Sequence, residues 1–399
     1  MKTSASPPPR LANRTGHIEP FHVMELAKRA FALEASGKPV IHMSIGEPDF
    51  TAPAPVIAAL ERVVHSGRTQ YTAALGITPL RAAIARHYGE HYNLDIAPDR
   101  IVVTAGASAA LSLACCALVN PGDGVLMTDP CYPCNRHFVA AFDGVPELVP
   151  VGPQTSFQMT RELLERNWTP RTVGTLLASP SNPTGTSIPH AELGGIIGAV
   201  RERGGFSIVD EIYLGLTYGD DSSSRDARSA LEFGDDVIVT NSFSKYFNMT
   251  GWRLGWMVVP EALTTTFEKL AQNLYICPST LAQHAALACF EPEALAIYEE
   301  RRLAFRSRRD FIVPALRAAG LEVPVTPDGA FYVYCDCSRY SDDSARLAIE
   351  LLEQAYVSVV PGHDFGLNAP ERYLRVSYAT SLDQLQEAAT RFRKYFAGR

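Results

Sequence analysis

The segment Asn241-Ser242-Phe243-Ser244-Lys245-Tyr246-Phe247-Asn248-Met249-Thr250-Gly251-Trp252-Arg253 sets the hydroxyls of Ser242 and Ser244, the Lys245 amine and the Arg253 guanidinium in one short stretch. It follows the apolar run Val237-Ile238-Val239. Ser242, Ser244 and Lys245 are therefore expected at the carboxyl edge of a sheet, where open α/β sheets hold their ligands. Hydroxyls beside a guanidinium such as Arg253 make a cradle for a phosphate, which the planar fork can bind in bidentate fashion. A lysine set among Phe243, Tyr246 and Phe247 has its neutral amine favoured by desolvation, as an imine-forming nucleophile requires. Two other readings apply to the same residues. One is an ordinary strand-to-loop junction. The other is the S-x-x-K nucleophile of penicillin-interacting acyltransferases, but the S-D-N and K-T-G strings that accompany it do not occur in the chain.

Further residues are expected on the same rim. Ser179-Pro180-Ser181-Asn182-Pro183-Thr184-Gly185 and Asp210-Glu211-Ile212-Tyr213 each follow an apolar run. An aspartate there can keep a heterocyclic nitrogen protonated, because a nearby negative charge favours the cation. Asn182 and Tyr213 can donate to an oxygen on the same ring. Singly, Asn-Pro-Thr-Gly is also a good turn, and a strand-end Asp often caps a helix. Gly106, Ala107 and Ser108 open a small-residue helix whose free N–H groups suit an anion, and Tyr132 can set an aromatic face beside that pocket. Cys131-Tyr132-Pro133-Cys134 has the C-x2-C form of a zinc or redox half-site, yet no second pair or spaced histidines accompany it. No metal is expected.

The elements that must position these groups are legible from periodicity. Apolar, β-branched runs at 101–103, 125–127, 173–178, 206–209, 237–239 and 254–259 alternate with helical patterns such as 107–119 and 190–203. That is the signature of an α/β protein with a mostly parallel sheet covered by helices on both faces. A helix is expected over 19–36 and a strand over 40–45. Beyond about 290 the pattern becomes a long helix, strands near 322–325, 329–334, 358–360 and 373–377, a helix over 343–355 and a last helix from Ser381, which reads as a smaller α+β domain. Residues 1–16, polar and proline-rich, are expected to be flexible.

Composition narrows the function classes. At 399 residues with 46% hydrophobic and 20% charged, the chain is long enough for two domains with a substantial core. Its net charge of −7 gives no basic excess for a nucleic-acid backbone. The densest basic stretch, 301–309, is expected to be a solvated, salt-bridged helix face. The sequence contains no long apolar run, and its eight cysteines do not form a disulfide framework, so a reduced, cytoplasmic protein that neither spans a membrane nor is secreted is expected.

Together, Gly46-Glu47-Pro48-Asp49, Tyr71 ahead of Gly76-Ile77, Asn182-Pro183-Thr184-Gly185, Asp210-Glu211-Ile212-Tyr213, Ser242-Phe243-Ser244-Lys245, Gly251-Trp252-Arg253-Leu254-Gly255 and Arg375-Val376-Ser377-Tyr378 resemble the class I/II pyridoxal-phosphate aminotransferases. The resemblance runs from about Pro20 to Tyr378. It implies a fold-type-I enzyme of the aspartate aminotransferase superfamily, with pyridoxal 5′-phosphate as cofactor. Lys245 then resembles the lysine that holds the cofactor as a Schiff base and later shuttles the substrate proton, and Asp210 the partner of the pyridine nitrogen. Tyr213 and Asn182 resemble the partners of the phenolic oxygen, and Tyr132 the stacking ring. Ser242, Ser244, Arg253 and the 106–108 turn resemble the phosphate cup. Tyr71 resembles the tyrosine that reaches the phosphate in the neighbouring subunit, which implies a homodimer. Arg375 resembles the arginine that clamps the substrate α-carboxylate, helped by Asn182 and by backbone near Gly46.

The resemblance further implies a large domain over 51–289 and a small domain formed by 17–50 with 290–399. It implies a ping-pong transfer of an amino group from an L-amino acid to a 2-oxo acid, with a carbon–sulfur β-lyase as the alternative reaction on the same scaffold. One departure bears on substrate. In one branch of aspartate aminotransferases a lysine follows the phosphate-turn glycine, whereas here Ser108 stands between Ala107 and Ala109. An apolar or aromatic amino donor, with 2-oxoglutarate or pyruvate as acceptor, is therefore expected at least as readily as aspartate.

Overall fold

The computed structural model describes residues 10–20, 22–219 and 228–398. The expected flexible segment lies outside the described residues over 1–9. Its remainder includes the 3-10 turn Asn13–His17, from which Arg14 reaches Asp143 at 3.0 Å.

Among the described residues twelve strands form three sheets. β1 (Ile41–His42) pairs in parallel with β10 (Val357–Ser358). The main sheet contains β2 (Ile101–Thr104), β3 (Gly124–Asp129), β4 (Val145–Pro150), β5 (Thr172–Ala178), β6 (Phe206–Asp210), β7 (Ile238–Ser242) and β8 (Gly255–Val258), in the order β2-β8-β7-β6-β5-β3-β4. Pairings from β4 through β7 are parallel, while β8 runs antiparallel to both β7 and β2. A third, antiparallel sheet has the order β11 (Val360–Pro361), β12 (Tyr373–Ser377), β9 (Tyr332–Asp336).

The inner parallel strands β3, β5, β6 and β7 are buried on both faces, as the near-continuous apolar runs require, while the edge strand β4 is mostly half-buried. Helices Ala107–Leu118 and His190–Glu202 match the expected periodic segments closely. Other expectations shift. The strand expected over 40–45 is only β1, because the chain then runs through Ser44 to Glu47 as loop. The strand expected near 322–325 reduces to a single bridge between Glu322 and Asp336, and β4 joins the edge of the main sheet without having been anticipated. The helix expected over 343–355 is Ser344–Glu350, capped by Asp343, followed by a π turn at Leu351–Ala355.

The basic stretch 301–309 is not a solvated face. It lies within the 27-residue helix Pro292–Ala318, and Arg302 and Arg308 are only 4% and 8% exposed. Arg308 grips Asp49 in bidentate fashion at 2.7 and 2.9 Å and stacks on Phe50 and Phe305. Arg301 donates to the Thr51 carbonyl at 2.6 Å and to Asn248 at 2.8 Å. These arginines hold the 49–51 loop to the long helix.

A second tie joins the small antiparallel sheet to the main one. Asp129, at the end of β3, accepts hydrogen bonds from the N–H groups of Leu367 (3.0 Å) and Asn368 (3.1 Å). The Cys131 N–H reaches the Phe365 carbonyl at 2.9 Å. The Val23 N–H, in the helix His22–Ala35, donates to Asp364 at 2.8 Å. Among the described residues no helix is long and apolar enough to cross a membrane.

Candidate active site

Asp210 ends β6, directly opposite Thr240 of β7 in the register. The Thr240 hydroxyl donates to Asp210 Oδ1 at 3.0 Å and the Ile212 N–H to the same oxygen at 3.3 Å. Oδ2 takes no hydrogen bond from the described residues. Burial lifts the carboxyl pKa to about 6, against the lowering effect of these bonds and of Lys245.

Lys245 follows β7 by three residues. Its Nζ donates to the Gly46 carbonyl at 2.5 Å and lies 5.8 Å from the centre of the Tyr213 ring and 5.9 Å from that of Phe331. Desolvation is the main cause of its pKa falling to about 8; the Arg375 and Arg253 charges add to that, while Glu47 and Asp210 oppose it. An appreciable fraction is therefore neutral amine near pH 8. Ser242 is bonded elsewhere, to Ser244 Oγ at 3.0 Å and to the Leu254 carbonyl at 3.2 Å, so the hydroxyl and Lys245 each have their own partners rather than forming an S-x-x-K pair.

Arg375 projects from β12 and is 5% exposed. Nη1 donates to Asn182 Oδ1 at 2.9 Å and Nη2 to the Ser44 carbonyl at 2.5 Å. Its guanidinium lies over the rings of Tyr332, at 4.5 Å, and Phe365, at 5.0 Å. Nε is buried without a partner. Because an arginine only donates, the Asn182 oxygen must face it, which turns the Asn182 amide N–H groups away from Arg375. Tyr213 and Tyr332 share a hydrogen bond between hydroxyls at 2.8 Å. The glycine at 46 makes room here, since a Cβ would sit 2.9 Å from the Tyr332 hydroxyl.

The phosphate-type cradle is also assembled. Helix Ala107–Leu118 begins at Gly106, whose φ is +82°. A Cβ at 106 would lie 2.6 Å from Arg253 Nη2. Glycine thus satisfies both the left-handed backbone and the close approach of the guanidinium. The Ala109 and Ala110 N–H groups turn back to the Gly106 carbonyl at 3.2 and 3.3 Å, leaving those of Ala107 and Ser108 at the open, positive end of the helix. Ser242 and Ser244 stand at the end of the neighbouring β7. Tyr132 precedes helix Pro133–Ala140 at its N-cap position; burial first, then Cys134, and more weakly Tyr332 and Asp210, raise its pKa above the ordinary tyrosine value. Tyr71 points away from its own chain, 79% exposed.

Sequence reasoning missed Thr240, Phe331 and Tyr332. Thr240 had a signal, for strand alternation sets it on the same face as Ser242. Tyr332 had none nearby, since its partner lies 119 residues away. Cys131 is buried and Cys134 half-buried, both as free thiols, and among the described residues no group of three or more His, Cys, Asp or Glu side chains is placed to hold a metal.

The donor set fits a phosphorylated heterocycle. Hydroxyls, a guanidinium and free helix N–H groups suit its phosphate, a buried carboxylate with an open oxygen suits a ring nitrogen, and a desolvated amine suits an aldehyde. The comparisons with known proteins carry this from a class of ligand to a family. The sequence profile of Aminotransferase class I and II matches residues 38–392. The valine–pyruvate aminotransferase of Mycobacterium tuberculosis is 37% identical over 96% of this chain and 97% of its own length. The aspartate aminotransferase of Thermotoga maritima is 33% identical over 98% and 100%. Among solved structures, an aminotransferase from Mycobacterium tuberculosis is similar with a TM-score of 0.94 at 36% identity, over 98% of this chain and all of that one. Thermus thermophilus aspartate aminotransferase with maleate is similar at 0.90 and 33%, over 97% and 99%.

The chain belongs to the class I and II aminotransferases. Its fold is that of the fold-type-I enzymes, its cofactor is pyridoxal 5′-phosphate as in this family, and its activity is transamination.

Proposed function

We propose that this aminotransferase moves the amino group of an apolar or aromatic L-amino acid to a small 2-oxo acid, pyruvate or 2-oxoglutarate, by a ping-pong mechanism. The observation that carries the substrate choice is the start of helix Ala107–Leu118, where Ser108 stands between two alanines and no basic residue occupies the first turn. A distal carboxylate of aspartate finds no cation there. The name of the Mycobacterium tuberculosis relative, valine–pyruvate aminotransferase, supports the same choice.

Lys245 is the residue that attaches the cofactor and, once displaced by substrate, carries the proton from the substrate Cα. Its pKa, depressed to about 8, leaves an appreciable fraction as the free amine that can accept that proton near pH 8. Bound pyridoxal phosphate supplies an electron sink for the electrons that the departing proton leaves behind. Asp210 Oδ2 holds the ring nitrogen in its protonated form. Tyr213 donates to the phenolic oxygen, Tyr332 in turn donating to Tyr213, and the Asn182 amide donates alongside. Tyr132 stacks on the ring. Ser242, Ser244, Arg253 and the N–H groups of Ala107 and Ser108 hold the phosphate, with Gly106 allowing the approach. Arg375, steered by Asn182 and the Ser44 carbonyl, receives the substrate carboxylate beside Gly46, and its unpartnered Nε is one donor left for it.

The reading extends to assembly. Tyr71 reaches the phosphate of a neighbouring subunit in a homodimer, and its exposure on its own chain supports this. Residues 51–289 act as a cofactor-binding domain, and 17–50 with 290–399 as the small domain that brings Arg375. A cytoplasmic location accords with eight free cysteines.

The test is the visible absorbance of the reconstituted enzyme. L-Valine, L-alanine and L-phenylalanine should bleach the band of the lysine-bound cofactor with second-order rate constants at least about tenfold above that of L-aspartate, a difference of about 1.4 kcal/mol. Faster bleaching by L-aspartate overturns the substrate choice.

A further inference from the structure

Tyr71 is exposed, yet the segment around it is fixed on both sides. Thr280 Oγ1 donates to the Gln70 carbonyl at 2.7 Å. The Thr72 N–H reaches Cys277 Sγ at 3.5 Å. The Gly76 N–H closes a turn on the Ala73 carbonyl at 2.9 Å, and the Val103 N–H takes the Leu75 carbonyl at 3.0 Å.

At the centre of these contacts lies Gln283, fully buried in the helix Thr280–Ala286. Its Oε1 accepts the Ile77 N–H at 2.8 Å. Its Nε2 donates to Thr72 Oγ1 at 3.0 Å and to the Pro278 carbonyl at 3.1 Å. The carboxamide therefore spans the segment, from the residue beside Tyr71 to the residue that caps helix Thr78–Tyr92. Gly76, at φ +95°, keeps the space open, since a Cβ there would lie 2.5 Å from Val103 and 3.1 Å from Gln283 Oε1. The carbonyl and one N–H of a buried side chain are thus committed to the segment, at the Ile77 N–H and the Thr72 hydroxyl, while the Pro278 carbonyl beside its own helix takes the other N–H. None of them touches the candidate site of its own chain.

We propose that Gln283 is a positioning residue for cofactor binding in the neighbouring subunit, acting through Tyr71. This rests on the reading that Tyr71 serves the partner's site. A tyrosine on a loose loop would lose backbone freedom each time it engaged a phosphate, whereas a segment already ordered by folding has none left to lose. Gln283 orders that segment in advance. Its removal weakens the grip on the cofactor across the interface and leaves the site of its own subunit intact.

The experiment measures the pyridoxal phosphate dissociation constant from the absorbance of the lysine-bound cofactor. Tyr71→Phe sets the scale, and loss of one charge-assisted hydrogen bond should raise the constant about tenfold or more. Gln283→Met, which keeps the volume, should raise it about three- to tenfold, and Tyr71→Phe with Gln283→Met should match Tyr71→Phe alone to within about twofold, as residues acting through one another do.

Mixed dimers separate the two subunits. Gln283→Met and Lys245→Ala placed in the same subunit should weaken the one working site, which lies in the other subunit. Gln283→Met in the subunit that keeps Lys245, opposite a Lys245→Ala subunit, should leave the constant at its wild-type value. The reverse pattern, or losses that multiply in the double variant, overturns the proposal. An unchanged constant in Tyr71→Phe overturns instead the reading of Tyr71. Thr72→Val, which removes only the hydroxyl that Gln283 holds, runs the same dimer test without a change in the buried helix and should give about a two- to threefold effect.

Discussion

At the end of β6 two adjacent carboxylates meet different surroundings. Asp210 faces the cofactor rim, where Thr240 and the Ile212 N–H share one of its oxygens and the other is left open. Glu211 turns to the opposite side, where the Ser229 hydroxyl lies 3.0 and 2.9 Å from its two oxygens and the Ala230 N–H donates at 2.6 Å. Burial lifts both pKa values, Asp210 to about 6 and Glu211 to about 8. The larger shift belongs to the group with no open valence. On the proposed reading, what separates the working carboxylate from the structural one is therefore unfinished hydrogen bonding rather than the size of the shift, a distinction that perturbed pKa values alone would invert.

Asp210→Asn attacks the working side. It removes the charge that keeps the ring nitrogen protonated while preserving the Thr240 contact in shape, so kcat/KM should fall about 10²- to 10³-fold. Steady-state kinetics showing a loss of less than tenfold would erase the contrast. The pH dependence of cofactor attachment sharpens it. Lys245 is shifted down to about 8, so its reactive amine form is gained as pH rises through that value. The attachment rate to apoenzyme should rise about fivefold from pH 7 to 8 and less than about twofold from pH 8 to 9, whereas a lysine at its ordinary value would gain about tenfold at each step. Stopped-flow absorbance distinguishes the two curves. The smallest effect is expected from Glu211→Gln. With a pKa near 8, Glu211 is mostly protonated at pH 7, and the amide can accept from Ala230 and pair with Ser229. The change should alter kcat/KM by less than about threefold and stability by about 1 kcal/mol or less, read by denaturant titration at pH 7. A Glu211→Gln enzyme as impaired as Asp210→Asn would place both acids in the chemistry.

Much of this arrangement was legible because the chemistry follows the strands. Asp210 and Lys245 each sit just past an apolar run, and parallel sheets bring such positions to one rim. The order of the strands was not legible, for nothing local says that β8 returns antiparallel between β7 and β2. Nor was the Tyr213–Tyr332 pair, which joins the main sheet to β9, since Tyr332 reads from sequence as an ordinary aromatic in a buried strand. The 301–309 arginines misled for a related reason. Their charge pattern suits water, but Asp49, Thr217 and the Phe50 ring that receive them come from distant segments.

The anchor between Asp129 and the 366–368 loop sets a rule for anyone recombining this enzyme with its relatives. Position 366 admits only glycine, because any Cβ there would overlap the Asp129 carboxylate. Proline is barred at 367 and 368, where an amide proton is the anchoring group. The side chain of Leu367 bears none of this constraint and is 79% exposed. A randomised library in this loop can therefore vary the side chain at 367 freely, provided that the backbone it hangs from is inherited together with Asp129.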